Sequence, residues 1–355
     1  MDKMEIRANV LLRGGRRQLT PRLLPMLILL SAPLFLPAEQ HTLLSTPKTV
    51  HWGYYDGTQV PALRIRLGDT VEIRTAMIDP PEALERVGVA AGQIDQASRE
   101  IHRAIKDRGA GPHILTGPVF IEGTEPGDIL EVHIESIRLG LPYAVNVFFP
   151  GMGVLPEDFP YEYRKLIPLD EERMVARFAP GVEIPIRPFF GSMGVAPPEG
   201  LGRINSAPPW IHAGNLDNKE LVAGTTLYIP VHVRGALFSV GDAHAGQGNG
   251  EVCLSALETV LSGVFRFTVR KGSRLLWPRA ETPTHLMTMG FDENLDVAIQ
   301  TTLRQMISLI VERYKLTRED AYVLASDAAD FSITQLVDGK RGVHAMIAKS
   351  IFAGR

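Results

Sequence analysis

The middle of the chain alternates apolar and polar residues in short runs, each with a Gly-Asp pair beside it. Residues 63–74 alternate on both sides of Gly68-Asp69, which predicts a β-hairpin with a tight turn. The alternation returns in three further runs, at residues 119–123, 127–134 and 227–234. These units indicate an internally repeated β module, although the repeats are too degenerate to establish a duplication.

Helical periodicity is restricted to two regions. Residues 81–107 carry apolar side chains at helical spacing and predict two helical pieces, interrupted near residues 88–92. Residues 295–314 predict one amphipathic helix. Thr317, with Asp320 three residues later, has the pattern of a capping box and predicts a second helix that ends near Ala329.

The segment 148–186 shows no sustained period and is rich in proline, glycine and aromatic residues. We interpret it as a long loop region that serves as a lid or a subunit contact. Strand patterns up to about residue 290, followed by helices from 295 to 330, predict a mainly β protein of the α+β class. Its expected architecture is a β-sandwich-like body with strands paired face to face, plus C-terminal helices.

The first forty residues have the pattern of a secretory leader. Arginines precede the apolar run 23–36, and residues 37–39 offer a small-residue cleavage point. The run is shorter than the ~20 residues that span a bilayer, although an uncleaved anchor is the alternative. Arg16-Arg17 is a loose fit to the twin-arginine route. We therefore expect a signal peptide over 1–40, one catalytic domain over 41–355, and a periplasmic or secreted protein that leaves the membrane after cleavage.

The net charge limits the expected binding partners, and the cysteine content limits how the fold can be stabilised. A net charge of −3 gives no reason to expect nucleic acid or an anionic membrane surface as a partner. Cys253 is the single cysteine, so an exported chain must be stabilised by its core, its metals or a homo-oligomer. The thiol lies in an apolar run, which favours a buried inert group over a nucleophile.

Polar groups are concentrated in the stretch that follows the apolar run 236–240. That run predicts a buried strand ending at Gly241. Asp242, His244, Gln247 and Glu251 then alternate with glycines, which allow the backbone to approach a ligand closely. The combination of two carboxylates, an imidazole and a carboxamide indicates a metal or catalytic site. An ordinary polar turn between strands is the alternative.

Other donors lie in two earlier loops. His113 precedes a predicted strand and is either a metal ligand or a surface histidine. Asn215 and Asp217 lie in an Asn/Asp-rich loop that suits a hard cation, a substrate amide or a simple Asx turn. His51, at the entry to the mature fold, could face the same cavity. We assign no role to His212.

The stretch 235–258, GALFSVGDAHAGQGNGEVCLSALE, resembles the signature of the acetamidase/formamidase family of amide hydrolases, which reads close to GALFSVGDxHAxQGxGEV. Three further segments resemble the same family, at residues 113–119 with 125–128, at 214–221, and at 328–335 with 342–344. The likeness runs in order from about His51 to Ile347. Ala213 and Ala243 depart from it, because glycine is common in the family at both positions.

This resemblance implies a metal-dependent enzyme that hydrolyses the C–N bond of short linear amides such as formamide or acetamide, releasing ammonia and a carboxylic acid. The expected metal ligands are His113, Asp217, Asp242 and His244, the expected catalytic residues are Glu251 and Gln247, and the expected substrate contacts are Asn215 and Gly248. Mixed nitrogen and oxygen ligands suit zinc, with calcium as the second candidate. No G-x-S-x-G elbow is present, which disfavours a serine nucleophile.

A second function class stays open at this level. A secreted, non-catalytic β-sandwich module could bind a small amide or sugar, with calcium fixing its Asp/Asn/Gly loops. The two classes differ in whether Asp242, His244 and Glu251 converge on one pocket. A closed shell made of oxygen ligands alone, without His244, would favour the binding module.

Overall fold

A computed structural model of the chain describes residues 38–352 and 354, so the predicted leader lies almost entirely outside the described residues. Ala38–Arg355 cluster as one compact unit. Within the described residues there are 22 strands and four α-helices, which confirms a mainly β protein. None of the described helices is long and apolar enough to span a bilayer.

The strands of the first half are β1 Gln40–Leu43, β2 Val50–Trp52, β3 Tyr54–Tyr55, β4 Leu63–Ile65, β5 Thr70–Arg74, β6 Ile114–Ile121, β7 Ile129–Leu139, β8 Tyr143–Phe148, β9 Tyr163–Asp170, β10 Val175–Ala179 and β11 Val182–Pro185. The later strands are β12 Phe189–Gly194, β13 Ile204–Asn205, β14 Ala213–Asn215, β15 Thr226–Pro230, β16 Phe238–His244, β17 Glu258–Thr259, β18 Leu261–Arg270, β19 Arg279–Glu281, β20 His285–Asp292, β21 Ala329–Gln335 and β22 Arg341–Ala348. The α-helices are α1 Pro81–Arg86, α2 Gln96–Ala104, α3 Leu295–Tyr314 and α4 Arg318–Ala328. Short 3₁₀ helices lie at Ala91–Gln93, Glu199–Leu201 and Lys349–Phe352.

Two large sheets make up the body. One has nine strands in the order β1-β5-β18-β7-β15-β19-β20-β22-β21. The other has eleven strands; its main path runs β11-β10-β9-β8-β17-β16-β12-β14, and β6 joins it beside β16, carrying β2 and β4. Most neighbours in both sheets are antiparallel, with β1 beside β5 and β4 beside β6 as parallel pairs.

The sheets pack face to face across a shared apolar core. Phe190 on β12 and Phe238 on β16 come from the larger sheet, and Phe265 and Phe267 on β18 come from the other. The Phe190 and Phe265 rings are 5.3 Å apart, and the Phe238 and Phe267 rings are 5.2 Å apart. Edge-to-face and tilted aromatic pairs at this spacing add to the stability gained by burial. The predicted sandwich-like body is therefore confirmed, whereas its internal repetition stays a prediction.

The helical predictions are confirmed closely. The region 81–107 forms α1 and α2, with Asp95 capping α2 by accepting from the Ser98 backbone N–H. Helix α3 has the predicted bounds. The Thr317 side chain caps α4 by accepting from the Asp320 N–H at 3.0 Å, as the capping pattern indicates.

The hairpin predicted around Gly68-Asp69 is wrong. Strands β4 and β5 flank that turn but do not pair, because β4 pairs with β6 in the larger sheet and β5 pairs with β1 and β18 in the other. The Asp69 carboxylate accepts from the Arg66 N–H, so the turn itself is formed. Each flanking strand has one apolar face to bury, and the two sheets offer separate partners for them.

The loop predicted at 148–186 is partly wrong, because β9, β10 and β11 occupy 17 of its 39 residues. Two strands beyond the predicted helices, β21 and β22, complete the edge of the nine-stranded sheet. The strand expected to end at Gly241 continues to His244, while Ala236 and Leu237 precede it with φ of 58° and 56°. The polar site residues Asp242 and His244 therefore lie on a central strand, not on a loop.

Candidate functional site

Three neighbouring strands bring the predicted ligands together. Asp242 and His244 lie on β16, Asp217 follows β14, and β12 with Gly191 runs between these strands. A Cβ atom placed on Gly191 would lie 2.3 Å from Asp242 Oδ2 and 2.4 Å from Asp217 Oδ1. The two carboxylates therefore occupy the space above Gly191, and only glycine leaves room for both.

The His244 imidazole is held at both nitrogens. Its Nδ1 is 3.0 Å from Gln247 Oε1, while Gln247 Nε2 donates to the Asp217 carbonyl at 2.8 Å. Because the Gln247 amide group is used on that carbonyl, its oxygen accepts from the Nδ1–H. His244 Nε2 then faces two carboxylates, Glu258 at 3.1 Å and Asp242 at 3.4 Å. A lone pair in that position requires a proton or a cation between it and the carboxylates.

The charges around His244 shift its pKa and that of its partner in opposite directions. Burial alone would lower the pKa of His244, but the Glu258 and Asp242 carboxylates outweigh it and hold that pKa well above the usual value. Burial alone would raise the pKa of Asp242, but the charge of the neighbouring His244 lowers it. Without a metal, the pair is therefore an imidazolium beside a carboxylate.

Three further carboxyl groups, those of Asp217, Glu251 and Asp338, lie close to His244 and Asp242. Burial raises the pKa of Asp217 well above its usual value, and the carboxylates of Glu251 and Asp338 raise it further. Burial likewise raises the pKa of Glu251, with His244 opposing this and Asp338 adding to it. Burial raises the pKa of Asp338 to about 7. Carboxyl groups that cannot all ionise together indicate a site that is stabilised by added positive charge.

Several of these buried oxygens have no hydrogen-bond partner among the described residues. They include Asp217 Oδ1, Glu251 Oε2 and Asn215 Oδ1. Asn215 Nδ2 donates to the other Asp217 oxygen at 2.6 Å and so fixes that carboxylate. Orphaned buried acceptors are costly, and a cation or a substrate N–H would satisfy them.

Ligand atoms from two overlapping groups lie close enough to share an ion. Asp217, His244 and Glu251 form one group, and Asp242, His244 and Glu258 form the other, with all atoms in each group within 4.8 Å. His244 belongs to both groups. The set is therefore mixed nitrogen and oxygen, the kind that zinc accepts, and not the all-oxygen shell expected of a calcium-stabilised binding module.

The backbone is unusual at three of these carboxylates. Asp217, Asp242 and Glu251 have φ of 45°, 53° and 45°, in the left-handed region that residues other than glycine rarely adopt. Such conformations cost of order 1–3 kcal/mol each and are concentrated at functional sites. The tertiary structure thus imposes a local conformation that these residues would not choose alone.

The remaining predicted residues lie around this cluster. His113 Nε2 is 3.9 Å from Asp242 Oδ2, its Nδ1 contacts Ser206 Oγ at 3.0 Å, and burial lowers its pKa, so its ring is neutral and able to ligate. Gln247, predicted as catalytic, orients His244. Gly248 is exposed at the edge of the cavity described next.

A cavity of about 600 Å³ borders the cluster, and we call it the Glu251 cavity. Glu251 and Gln247 line it, and so does Cys253, which is half-buried and not fully buried as the apolar run predicts. His51 does not reach the cluster, because its ring nitrogens contact the Tyr54 carbonyl at 2.7 Å and Ser239 Oγ at 2.9 Å. Glu251 is therefore the residue that belongs both to the ligand cluster and to the cavity.

Sequence reasoning did not identify Glu258, Gly191 or Asp338. A usable signal existed for Glu258, since it is the only charge in the apolar run 256–261, where an ionisable side chain requires a partner. Asp338 lies in a Gly/Lys-containing turn and resembles ordinary turn chemistry. Gly191 is one of 33 glycines, and only its neighbours in space distinguish it.

The chain is similar to proteins named acetamidase or formamidase. The model of the acetamidase/formamidase family matches residues 74–207 and 202–353. An acetamidase of Mycolicibacterium smegmatis is 26% identical over 42% of this chain and 51% of its own length. The chain spans about half the length of the curated relatives it matches.

Solved structures are similar over nearly the whole described fold. An acetamidase from Bacillus halodurans is 30% identical with a TM-score of 0.74, covering 88% of this chain and 98% of that one. A predicted acetamidase/formamidase from Thermoanaerobacter tengcongensis is 28% identical with a TM-score of 0.75, covering 89% and 98%.

Proposed function

The chain belongs to the acetamidase/formamidase family, and from this premise we propose that it hydrolyses the C–N bond of short linear amides at a divalent-metal site. Water adds to the amide carbonyl, the C–N bond breaks, and a carboxylic acid and ammonia are released. The observation that carries the proposal is the buried His244 nitrogen facing two carboxylates beside Glu251, whose Oε2 has no partner among the described residues.

The residues present fit a divalent cation. His244 Nε2, Asp242 and Glu258 would hold it, with Asp217 and His113 completing the set. Three features of the site support this fit: the excess of buried carboxylates, the orphaned Asp217 oxygen, and the Gly191 backbone that leaves space above it. We propose zinc because the donors are mixed nitrogen and oxygen, with calcium as the less suitable ion.

A bound divalent metal would supply Lewis acidity, lowering the pKa of water and polarising the amide carbonyl. Glu251 accepts the proton of the attacking water on Oε2 and returns it to the leaving nitrogen. Burial raises the pKa of Glu251, and a carboxylate with a raised pKa is a stronger base than an ordinary one, which suits the first of these two transfers. Gln247 keeps the His244 ring in one tautomer, and Asn215 holds the Asp217 carboxylate.

Two substitutions separate catalysis from metal binding. Glu251→Gln keeps size and shape but cannot accept a proton, so ammonia release from acetamide should fall by roughly 10²–10⁴-fold while bound zinc, measured by elemental analysis, is retained. His244→Ala should lower the zinc content itself. Glu125→Gln at an exposed position and His285→Ala at a half-buried one, both outside the ligand cluster, serve as matched controls and should leave both quantities unchanged. Full activity of Glu251→Gln would show that this glutamate is structural, and Asp242 would be the next base to test.

We also propose that the enzyme acts outside the cytoplasm and as a homo-oligomer. The leader-like pattern of residues 1–40 supports export. The single cysteine supports stabilisation by assembly, because no internal disulfide is available to an exported chain. N-terminal sequencing of exported protein, together with its mass in solution, tests both points.

A further inference from the structure

We propose that the preferred substrates are primary amides with an apolar acyl group larger than acetyl, bound in the Glu251 cavity. This inference rests on the proposed amide hydrolysis and specifies the acyl group that the site accepts. The amide group would lie at Glu251 and Gln247, and the acyl chain would extend outward along the cavity. Formamide and acetamide would be poor substrates by comparison.

The size of the cavity is the first argument. Its volume of about 600 Å³ falls within the roughly 300–1,000 Å³ of pockets that hold drug-sized ligands. Formamide or acetamide would leave most of that space to water and would gain little from burial. A larger acyl group displaces this water and gains about 0.8 kcal/mol for each methylene that it buries.

The chemistry of the cavity wall is the second argument. One side comes from the β9–β11 region, with Ile167, Phe178 and Ile184. The other side comes from the segment after Glu251, with Val252 and Leu257. Two separate elements therefore present aliphatic and aromatic surface to the same space that Glu251 lines.

A second cavity of about 460 Å³ lies beside the first and shares Val252 and Cys253 with it. Its remaining wall includes Phe148, Leu155 and Phe159. The Phe148 and Phe159 rings are 5.5 Å apart and pack edge to face.

Two cations, Arg187 and Lys219, also line the Glu251 cavity and raise the alternative of an acyl group that ends in a carboxylate. Arg187 is already paired with Glu220 at 3.1 Å, so its charge is compensated. Lys219 is then the lining cation left for a carboxylate, and Asn146, Asn249 and Ser255 are neutral polar neighbours. The apolar side chains of the wall outnumber this one lysine, which favours an uncharged acyl chain. Succinamate, the half-amide that carries a carboxylate, tests this alternative directly.

The first experiment measures kcat/KM for ammonia release from acetamide, propionamide, butanamide and hexanamide, with phenylacetamide and succinamate alongside. We expect an increase of about four-fold per added methylene, which is the factor that corresponds to 0.8 kcal/mol. A flat or falling series overturns the inference and leaves amide hydrolysis intact. Succinamate as the best substrate overturns it as well.

The second experiment changes the wall without touching the ligand cluster. Phe178 is 39% exposed on β10 and lines the cavity, so Phe178→Ser should lower kcat/KM for hexanamide by roughly three- to ten-fold, a larger loss than for acetamide. Phe331 on β21 is 37% exposed and lines none of the cavities described above, so Phe331→Ser is the matched control. Equal losses on both amides in Phe178→Ser would refute the role of the cavity.

The third experiment reads binding without turnover. Cys253 is the single thiol and lies in the shared wall of both cavities, so its rate of modification by an aromatic disulfide reagent reports occupancy. Hexanamide should slow this reaction in Glu251→Gln enzyme, and acetamide at the same concentration should not. Protection without hydrolysis in the parent enzyme would support the cavity and refute the proposed function. Hydrolysis of acetamide without protection by hexanamide would support amide hydrolysis and refute the binding of the acyl chain in the Glu251 cavity.

Discussion

Gly191→Ala tests the geometry of the ligand cluster with the smallest available change. Gly191 lies in β12 between the strands that carry the ligands, and its φ is not in the left-handed region, so alanine suits its backbone. The added Cβ would nevertheless lie 2.3 Å from Asp242 Oδ2 and 2.4 Å from Asp217 Oδ1, where ordinary contact begins at 3.4 Å. Each carboxylate oxygen must therefore move by about 1 Å.

A displacement of that size is large for a metal site, where ligand distances hold to about ±0.2 Å. Misplacing catalytic groups by about 1 Å costs roughly 10²-fold in rate, and overpacking typically costs about 1–3 kcal/mol of stability. We therefore expect Gly191→Ala to lose most of its zinc and at least 10²-fold of kcat/KM for acetamide. Elemental analysis of folded protein, ammonia release and thermal unfolding measure the three effects.

Gly290→Ala is the control that separates a loss of stability from a loss of metal binding. A Cβ on Gly290 would lie 2.6 Å from the Ala298 carbonyl oxygen, in the packing of β20 against α3 and away from the ligands. Gly290→Ala should lower the free energy of unfolding yet keep one full complement of zinc per folded chain. If Gly191→Ala also kept its zinc and its activity within a few-fold, the assignment of Asp242 and Asp217 to one ion would be refuted.

Two further predictions concern the orientation of the His244 ring and the titration of the buried His51. Gln247→Ala should weaken zinc affinity by about 10–100-fold, because it frees the His244 ring. Competition with a chromophoric chelator measures this, and Asn249→Ala, two residues further along the same loop, should bind zinc as the parent does. Burial lowers the pKa of His51 from 6.5 to about 4, against the raising effect of the Tyr54 carbonyl. The unfolded chain then binds more protons than the folded one between these values, so the stability from neutral His51 is present above pH 6.5 and is lost as the pH falls through 4, by up to about 3 kcal/mol. Urea unfolding at pH 7 and pH 4.5 should show a smaller loss in His51→Gln than in the parent, and equal losses would contradict the assignment.

Local sequence determined the helices and most strand positions. The bounds of α3 follow from apolar spacing alone, and Thr317 caps α4 through a contact only three residues away. Interactions of this range are set by neighbouring residues whatever the rest of the chain does. The same holds for the concentration of donors in 241–251, which marked the site before its geometry was known.

Partner choice between strands was decided by the tertiary structure. Strands β4 and β5 are adjacent in sequence and alternate like a hairpin, yet they enter different sheets. Alternation shows that a strand has one buried face, but it does not show which neighbour buries it. For the same reason the pattern did not reveal that β21 and β22 complete a sheet begun almost 300 residues earlier.

For the site too, some properties follow from the sequence and others only from the tertiary structure. Asp242, His244, Asp217 and Glu251 were identified from residue type and resemblance, and they do converge. Only the fold shows that Glu258 faces His244, that Asp338 joins the carboxylates from a distant turn, and that Gly191 must lack a side chain. These properties are contacts between elements far apart in the chain, and burial then sets the charge of each group. The sequence therefore determined which side chains could do the chemistry, and the packing of the sheets decided which of them meet and in what state of protonation.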